Sequence, residues 1–150
     1  MKRHMRTIIS CLLALALVLP SFGAAAALPG GGVAISAGRA RGVDVSNTVT
    51  IGNGLVSVVY NLDAGTYEMR DLVRDKAVIK DAYSAMNGEA SNAGGYTGKW
   101  EQKNVSDELG DGKQLVVTLA KEGALTQKIG FTLYPDDSRI VLSGSVLHLR

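Results

Sequence analysis

The stretch from Asn47 to Leu147 is built of short alternating runs of apolar and polar residues with turn residues between them. This alternation is typical of half-buried strands, whereas a helix would repeat apolar residues at i, i+3, i+4 and i+7. Gly, Asn and Asp between the runs favour hairpins, because tight turns need positive φ angles. The pattern predicts strands over residues 48–51, 55–62, 66–72, 76–83, 97–105, 113–120, 125–134 and 138–147.

These runs follow one another through short turns, which makes neighbouring strands antiparallel. No helical segment lies between them, which argues against a parallel α/β fold. The spacing of roughly 10 residues is typical of sandwiches and barrels. We therefore expect an all-β antiparallel sandwich of about eight strands, with a barrel as the alternative. Turns are predicted at residues 52–54, 63–65, 111–112, 123 and 135–137.

Residues 1–27 have the order of a secretory signal peptide. Lys2, Arg3 and Arg6 precede an uncharged apolar run over residues 7–19, and the alanines at 24–27 offer cleavage sites. The apolar run is shorter than the roughly 20 residues of a membrane-spanning helix, although an uncleaved anchor is the alternative. We expect a secreted, periplasmic or extracellular protein with no stable membrane insertion after cleavage.

The remaining chain divides into two parts. Residues 28–46 are rich in Gly and Ala without a sustained period, which predicts a flexible linker. Residues 47–150 form the predicted sandwich domain. The chain reaches Arg150 directly after a predicted strand, so we expect this domain to be incomplete at its C-terminus.

The charge and the cysteine content of the chain argue against several kinds of partner and site. The whole chain has 16 basic and 14 acidic residues, for a net charge of +2. Signal cleavage would remove three basic residues and no acidic one, which leaves a formal charge of −1. A nucleic-acid partner is therefore not expected. Cys11, the only cysteine, would leave with the signal, so neither disulfides nor a cysteine metal site are expected.

The mature chain carries few groups for catalysis. Its only histidine is His148, because His4 lies in the predicted signal, so a multi-histidine zinc site is excluded. The segment at residues 110–113 (GDGK) lacks the spacing of a phosphate-binding loop. Many carboxylates fall in predicted turns, where Asp is favoured for its turn chemistry. We predict no catalytic residues, no metal and no cofactor in this chain.

Two aromatic residues are candidates for binding sugars. Tyr96 and Trp100, the single tryptophan, lie at the exit of a long Gly/Asn/Ser-rich segment over residues 86–98. The flat face of an aromatic ring suits the apolar face of a pyranose. The alternative is that Trp100 is a core residue of its strand, since large aromatic residues dominate cores.

Four segments, taken in order, resemble the N-terminal β-domain of α-galactosidase (melibiase)-type glycoside hydrolases. They are NGLVSVVYNLDAGTYEMRD at 53–71, VIKDAYS at 78–84, Trp100 followed by DELGDGKQLVVT at 107–118, and the strand pair within 131–146. The resemblance implies a β-supersandwich that packs against a (β/α)8 barrel carrying both catalytic aspartates. Such a barrel needs about 250 residues, so the chemistry would lie outside this chain.

The resemblance thus implies a non-catalytic domain of a secreted glycoside hydrolase acting on α-galactosides. Its expected partners are the missing catalytic barrel, a carbohydrate and a further copy of the chain in a homo-oligomer. Two alternatives stay open: a stand-alone carbohydrate-binding module, and a structural or adhesion domain without sugar contact.

Overall fold

The computed structural model describes residues 32–39 and 47–147. The predicted signal peptide, most of the predicted linker and His148 lie outside these residues. The described chain is all-β, as predicted. It contains no helix long and apolar enough to cross a membrane.

Within the described residues, eleven strands form three antiparallel sheets. One sheet has five strands in the order β1-β2-β3-β4-β5, a second has four in the order β11-β10-β9-β8, and β6 pairs with β7. The strands are β1 Ala34–Arg39, β2 Asn47–Gly52, β3 Val56–Asn61, β4 Thr66–Asp71, β5 Lys76–Ala82, β6 Ala85–Met86, β7 Glu89–Ala90, β8 Thr97–Asp107, β9 Gly110–Ala120, β10 Thr126–Leu133 and β11 Val141–Leu147. All eight predicted strands are present.

The core lies between the five-stranded and the four-stranded sheet, as the alternation predicts. Alternate side chains of β2, β3, β9 and β10 point inward and are almost wholly buried. Three rings join the layers: Tyr60 and Tyr67 stack with centroids 6.1 Å apart, and Phe131 meets Tyr67 edge-on at 5.1 Å. The most deeply buried residues are Val49, Ile51, Val58, Tyr60, Leu115, Val117, Leu119, Ile129, Phe131 and Leu133.

The structure differs from the predicted linker at β1. Residues 34–39 pair with β2 in antiparallel register, from Ala34 opposite Gly52 to Arg39 opposite Asn47. Val33, just before β1, is buried in the core. The pattern gave no strand signal because the segment contains Ala and Gly, whose small side chains show little alternation. The free edge of β2 supplies the hydrogen bonds that order this segment.

The predicted turn at residues 111–112 is wrong, because both residues belong to β9. The real loop is Glu108-Leu109, closed by the pair Asp107 and Gly110. Gly110 provides the positive φ of +109° that the turn needs. Gly112 serves close packing, since a Cβ there would lie 2.7 Å from the Leu133 carbonyl oxygen.

The long Gly/Asn/Ser-rich segment contains the small hairpin of β6 and β7. Its turn is Asn87-Gly88, with φ angles of +55° and +83°. Two consecutive positive φ angles are typical of a type I′ hairpin turn. Asn-Gly was thus a hairpin signal in the sequence, but the flanking strands have only two residues each and show no alternation.

Candidate functional site

Trp100 lies on β8, an edge strand of the four-stranded sheet. It is paired with Val117, which is fully buried, so both side chains share the core-facing side of this sheet. Trp100 itself is 39% exposed. The indole therefore occupies the uncovered margin of an inner face, where part of the ring is available to a ligand.

Tyr96 is held in place by polar contacts before β8 begins. Its hydroxyl donates to Glu89 Oε2 at 2.7 Å and accepts from Gln127 Nε2 at 3.2 Å. The Lys121 ammonium lies over its ring, 5.4 Å from the centroid. Burial raises the pKa of Tyr96, and the Glu89 carboxylate raises it further. The phenol is thus fixed by protein groups at its hydroxyl and at one face.

The structure does not stack the two candidate aromatics on each other. Tyr96 precedes the first residue of β8, and Trp100 comes four residues later, roughly 13 Å of extended chain. The close ring pairs of the described residues involve Tyr60, Tyr67 and Phe131 instead. Any sugar contact by both residues would have to span this distance, as an oligosaccharide can.

A groove of about 810 Å³, with charged, hydroxyl and apolar side chains in its lining, lies next to Tyr96 at the turn between β9 and β10. Lys121 and Glu89, the two charged partners of Tyr96, both line it. Lys99 and Glu122 add a second pair of opposite charges, and threonines from β8, β9 and β10 add hydroxyls. Mixed charges and hydroxyls suit a neutral polyhydroxylated ligand better than an anion.

The carboxylates with the clearest environments are engaged in turns. Hydrogen bonds from the Arg74 backbone and side chain lower the pKa of Asp71. Hydrogen bonds from Arg139 likewise lower the pKa of Asp137. A general acid needs the opposite shift, so neither group is suited to the general-acid role in glycoside hydrolysis. Within residues 32–39 and 47–147, no three His, Cys, Asp or Glu side chains cluster as a metal site requires.

Asp107 has a structural partner of its own. It accepts a hydrogen bond from the Tyr134 hydroxyl at 2.5 Å, and this bond raises the pKa of Tyr134. Its other carboxylate oxygen accepts from the Leu109 amide at 2.9 Å. The carboxylate therefore caps the loop between β8 and β9.

The sequence did not identify which residues form the apolar surface where the sandwich is open, between β5 and β11. We call it the open side and define it by Val73, Val78, Ile79, Leu142 and Val146, which are 41–73% exposed. A groove of about 510 Å³ brings Val73 and Val78 together with Ile140, just before β11.

The register shows why the open side is apolar. Leu142 is opposite the buried Phe131, and Ile79 is opposite Met69, so both share the core-facing sides of their sheets. The alternation in β5 predicts an inward Ile79. What the sequence lacks is any sign that the core-facing side chains of these edge strands stay exposed.

A comparison with known protein families, with curated proteins and with solved structures finds no match for this chain. The resemblance to the α-galactosidase N-terminal domain therefore remains a prediction from the sequence segments quoted above.

Proposed function

We propose that this chain is a non-catalytic β-sandwich domain of an exported glycoside hydrolase of the α-galactosidase type, and that its open side packs against the catalytic barrel. The order of the four sequence segments supports the family. The open side supports the packing role and is the observation on which the proposal depends. Contiguous exposed apolar surface usually marks an interface.

The chemistry of the described residues agrees with a non-catalytic role. Glycoside hydrolysis uses two carboxyl groups that face each other across the substrate, one with a raised pKa. Asp71 and Asp137 instead form ion pairs with Arg74 and Arg139 within their own turns. In this proposal the reaction is carried out by another part of the enzyme.

The DNA downstream of the Arg150 codon gives the first test. A reading frame that continues, or resumes after a frameshift, into eight alternating strands and helices supports the proposal. A downstream region without any such barrel contradicts it. The exported chain by itself should not hydrolyse p-nitrophenyl α-galactoside, and turnover by the purified chain would also contradict a non-catalytic role.

The open side can be tested on the exported chain with a hydrophobic fluorescent dye. Wild type should bind the dye, and Val78→Ser combined with Ile79→Ser should reduce the signal. The matched control is Leu109→Ser, because Leu109 is 45% exposed in the loop between β8 and β9, outside the open side. Equal dye binding by all three proteins would show that the open side is no apolar interface.

Carbohydrate binding is a second candidate function, favoured by the exposed part of Trp100 and by the charged and hydroxyl side chains in the groove beside Tyr96. Affinity electrophoresis in gels containing galactomannan or xylan tests it. Trp100→Ala should lose retardation, whereas Tyr83→Ala should not, because Tyr83 is exposed after β5. If the wild type migrates in both gels as it does without polysaccharide, a structural or adhesion role is the better interpretation.

A further inference from the structure

The two large sheets of the sandwich end in four edge strands: β1, β5, β8 and β11. An edge strand exposes unpaired backbone groups, and proteins commonly guard such edges with charges, bulges or short strands. β8 carries Lys99, Glu101 and Lys103, with an ion pair of 3.0 Å between the last two. β5 carries two lysines, a shifted register against β4 and a positive φ at Asp81.

β11 has none of these protective features. Its sequence, VLSGSVL, has no charged residue and no proline, and all seven of its residues are exposed. β1 differs from it because its large apolar residue, Ile35, is half-buried against the core. Within residues 32–39 and 47–147, β11 pairs with β10 on one side and has no neighbour on the other.

The sequence of β11 is also self-complementary in the antiparallel direction. A two-fold axis through Gly144 relates β11 to the β11 of a second copy. It places Val141 opposite Leu147, Leu142 opposite Val146, and Ser143 opposite Ser145. Apolar residues then meet apolar residues on both faces, and serines meet serines. Cross-strand pairs of matched type stabilise sheets, and a two-fold axis is the commonest symmetry of homodimers.

We propose that two copies of this chain pair through β11 in an isologous antiparallel dimer centred on Gly144, which joins their four-stranded sheets into one continuous sheet of eight strands. Main-chain hydrogen bonds along seven residues would supply affinity, as in other cases of strand addition. Val141 would lie opposite the partner's Leu147, and Leu142 opposite the partner's Val146. This contact uses the edge of β11 and does not depend on the proposed function.

Charge substitutions at the outer pair of positions test the register. Val141→Lys or Leu147→Glu alone places a charge opposite an apolar residue twice per dimer. Each should raise the dimer dissociation constant about tenfold, measured by sedimentation on the exported chain. The double variant places lysine opposite glutamate at both symmetric sites and should restore dimerisation. A variant that merely misfolds would not be rescued in this way.

Cysteine cross-linking gives a second readout. Opposed residues of antiparallel strands have Cα atoms about 4.5–5.5 Å apart, within reach of a disulfide. Ser143→Cys with Ser145→Cys should therefore form a covalent dimer under mild oxidation. Lys99→Cys with Glu101→Cys, at the same spacing on the β8 edge, should not.

Three results would overturn the proposal: a wild-type chain that is monomeric at all accessible concentrations, a dimer that persists in both single-charge variants, or equal cross-linking at β8 and β11. The wild-type chain would be monomeric, for example, if a further strand of the same chain covered β11. A dimer that is weakened by each charge, restored by the pair and cross-linked only at β11 supports it.

Discussion

At the scale of single residues, Asn53 connects the two sheets through one buried side chain. Its amide nitrogen donates to the carbonyl oxygens of Tyr134 and Asp137, at 2.8 and 2.6 Å. Its amide oxygen accepts from the Leu55 and Val56 amides, both at 3.0 Å. All hydrogen-bonding positions of the side chain are used, so the turn after β2 is fixed to the segment after β10.

Asn53→Ala should destabilise the fold by about 3 kcal/mol, because it leaves buried backbone groups without partners. Urea unfolding of the purified chain measures this. The control is Asn61→Ala, since Asn61 Oδ1 also accepts from two backbone amides but at an exposed turn. That variant should lose about 1 kcal/mol. Equal losses in the two variants would show that the contact to the second sheet adds nothing.

Gly65 is required for two reasons. Its φ is +67°, and a Cβ there would lie 2.0 Å from the Ser91 carbonyl oxygen. Gly65→Ala should therefore destabilise by more than about 3 kcal/mol, since backbone would have to move. Gly54→Ala is the matched control, because Gly54 has φ +87° with open space around it and should lose about 1 kcal/mol. Similar thermal midpoints for the two variants would contradict the steric argument.

At the scale of elements, the sequence allowed eight of the eleven described strands to be predicted, because apolar and polar residues alternate within them and turn residues separate them. This holds even for β8 and β11, which are mostly exposed. β1 and the hairpin of β6 and β7 could not be predicted in this way. β1 is ordered by the free edge of β2, and no property of residues 34–39 alone reveals that edge. The hairpin is held by Ser91 and Gln127, which are distant in sequence from the residues they bind.

Ser91 should stabilise the hairpin of β6 and β7 in its packed position. Its hydroxyl donates to the Gly65 carbonyl oxygen at 2.6 Å and accepts from the Ser84 amide at 3.1 Å. Ser91→Ala should cost about 2 kcal/mol and speed amide hydrogen exchange at Ser84 and within the hairpin. Ser106→Ala, at an exposed position of β8, is the control. Unchanged exchange at Ser84 would contradict this role.

At the scale of the whole molecule, the sequence identified the candidate binding residues but not the contacts that hold them. The sequence singled out Tyr96 and Trp100 as aromatics beside a loop. It could not show that Glu89 and Gln127 fix the Tyr96 hydroxyl, since these contacts depend on the hairpin packing near β10. The residues of the open side were equally hidden, because their exposure depends on the placement of β5 and β11 at the edges of their sheets.

The aromatic cluster makes the stability of the whole sandwich sensitive to alkali. The Tyr60 hydroxyl is buried without a hydrogen bond of ordinary geometry among the described residues, and burial raises its pKa to about 12. An unfolded tyrosine ionises near pH 10, so the free energy of unfolding should fall as pH rises from about 10 to 12, by about 3 kcal/mol.

Tyr60→Phe should remove most of that loss, since phenylalanine cannot ionise and keeps the ring in place between Tyr67 and Phe131. At pH 7 it should be neutral or slightly stabilising, because the hydroxyl it removes makes no hydrogen bond of ordinary geometry among the described residues. Urea unfolding between pH 7 and 12 measures both effects. In Tyr60→Phe, the free energy of unfolding should still fall with pH, although less steeply, because the pKa values of Tyr96 and Tyr134 are also raised. Tyr83→Phe, at an exposed tyrosine, is the control; an alkaline slope reduced equally in both variants would mean that burial of Tyr60 is not its cause.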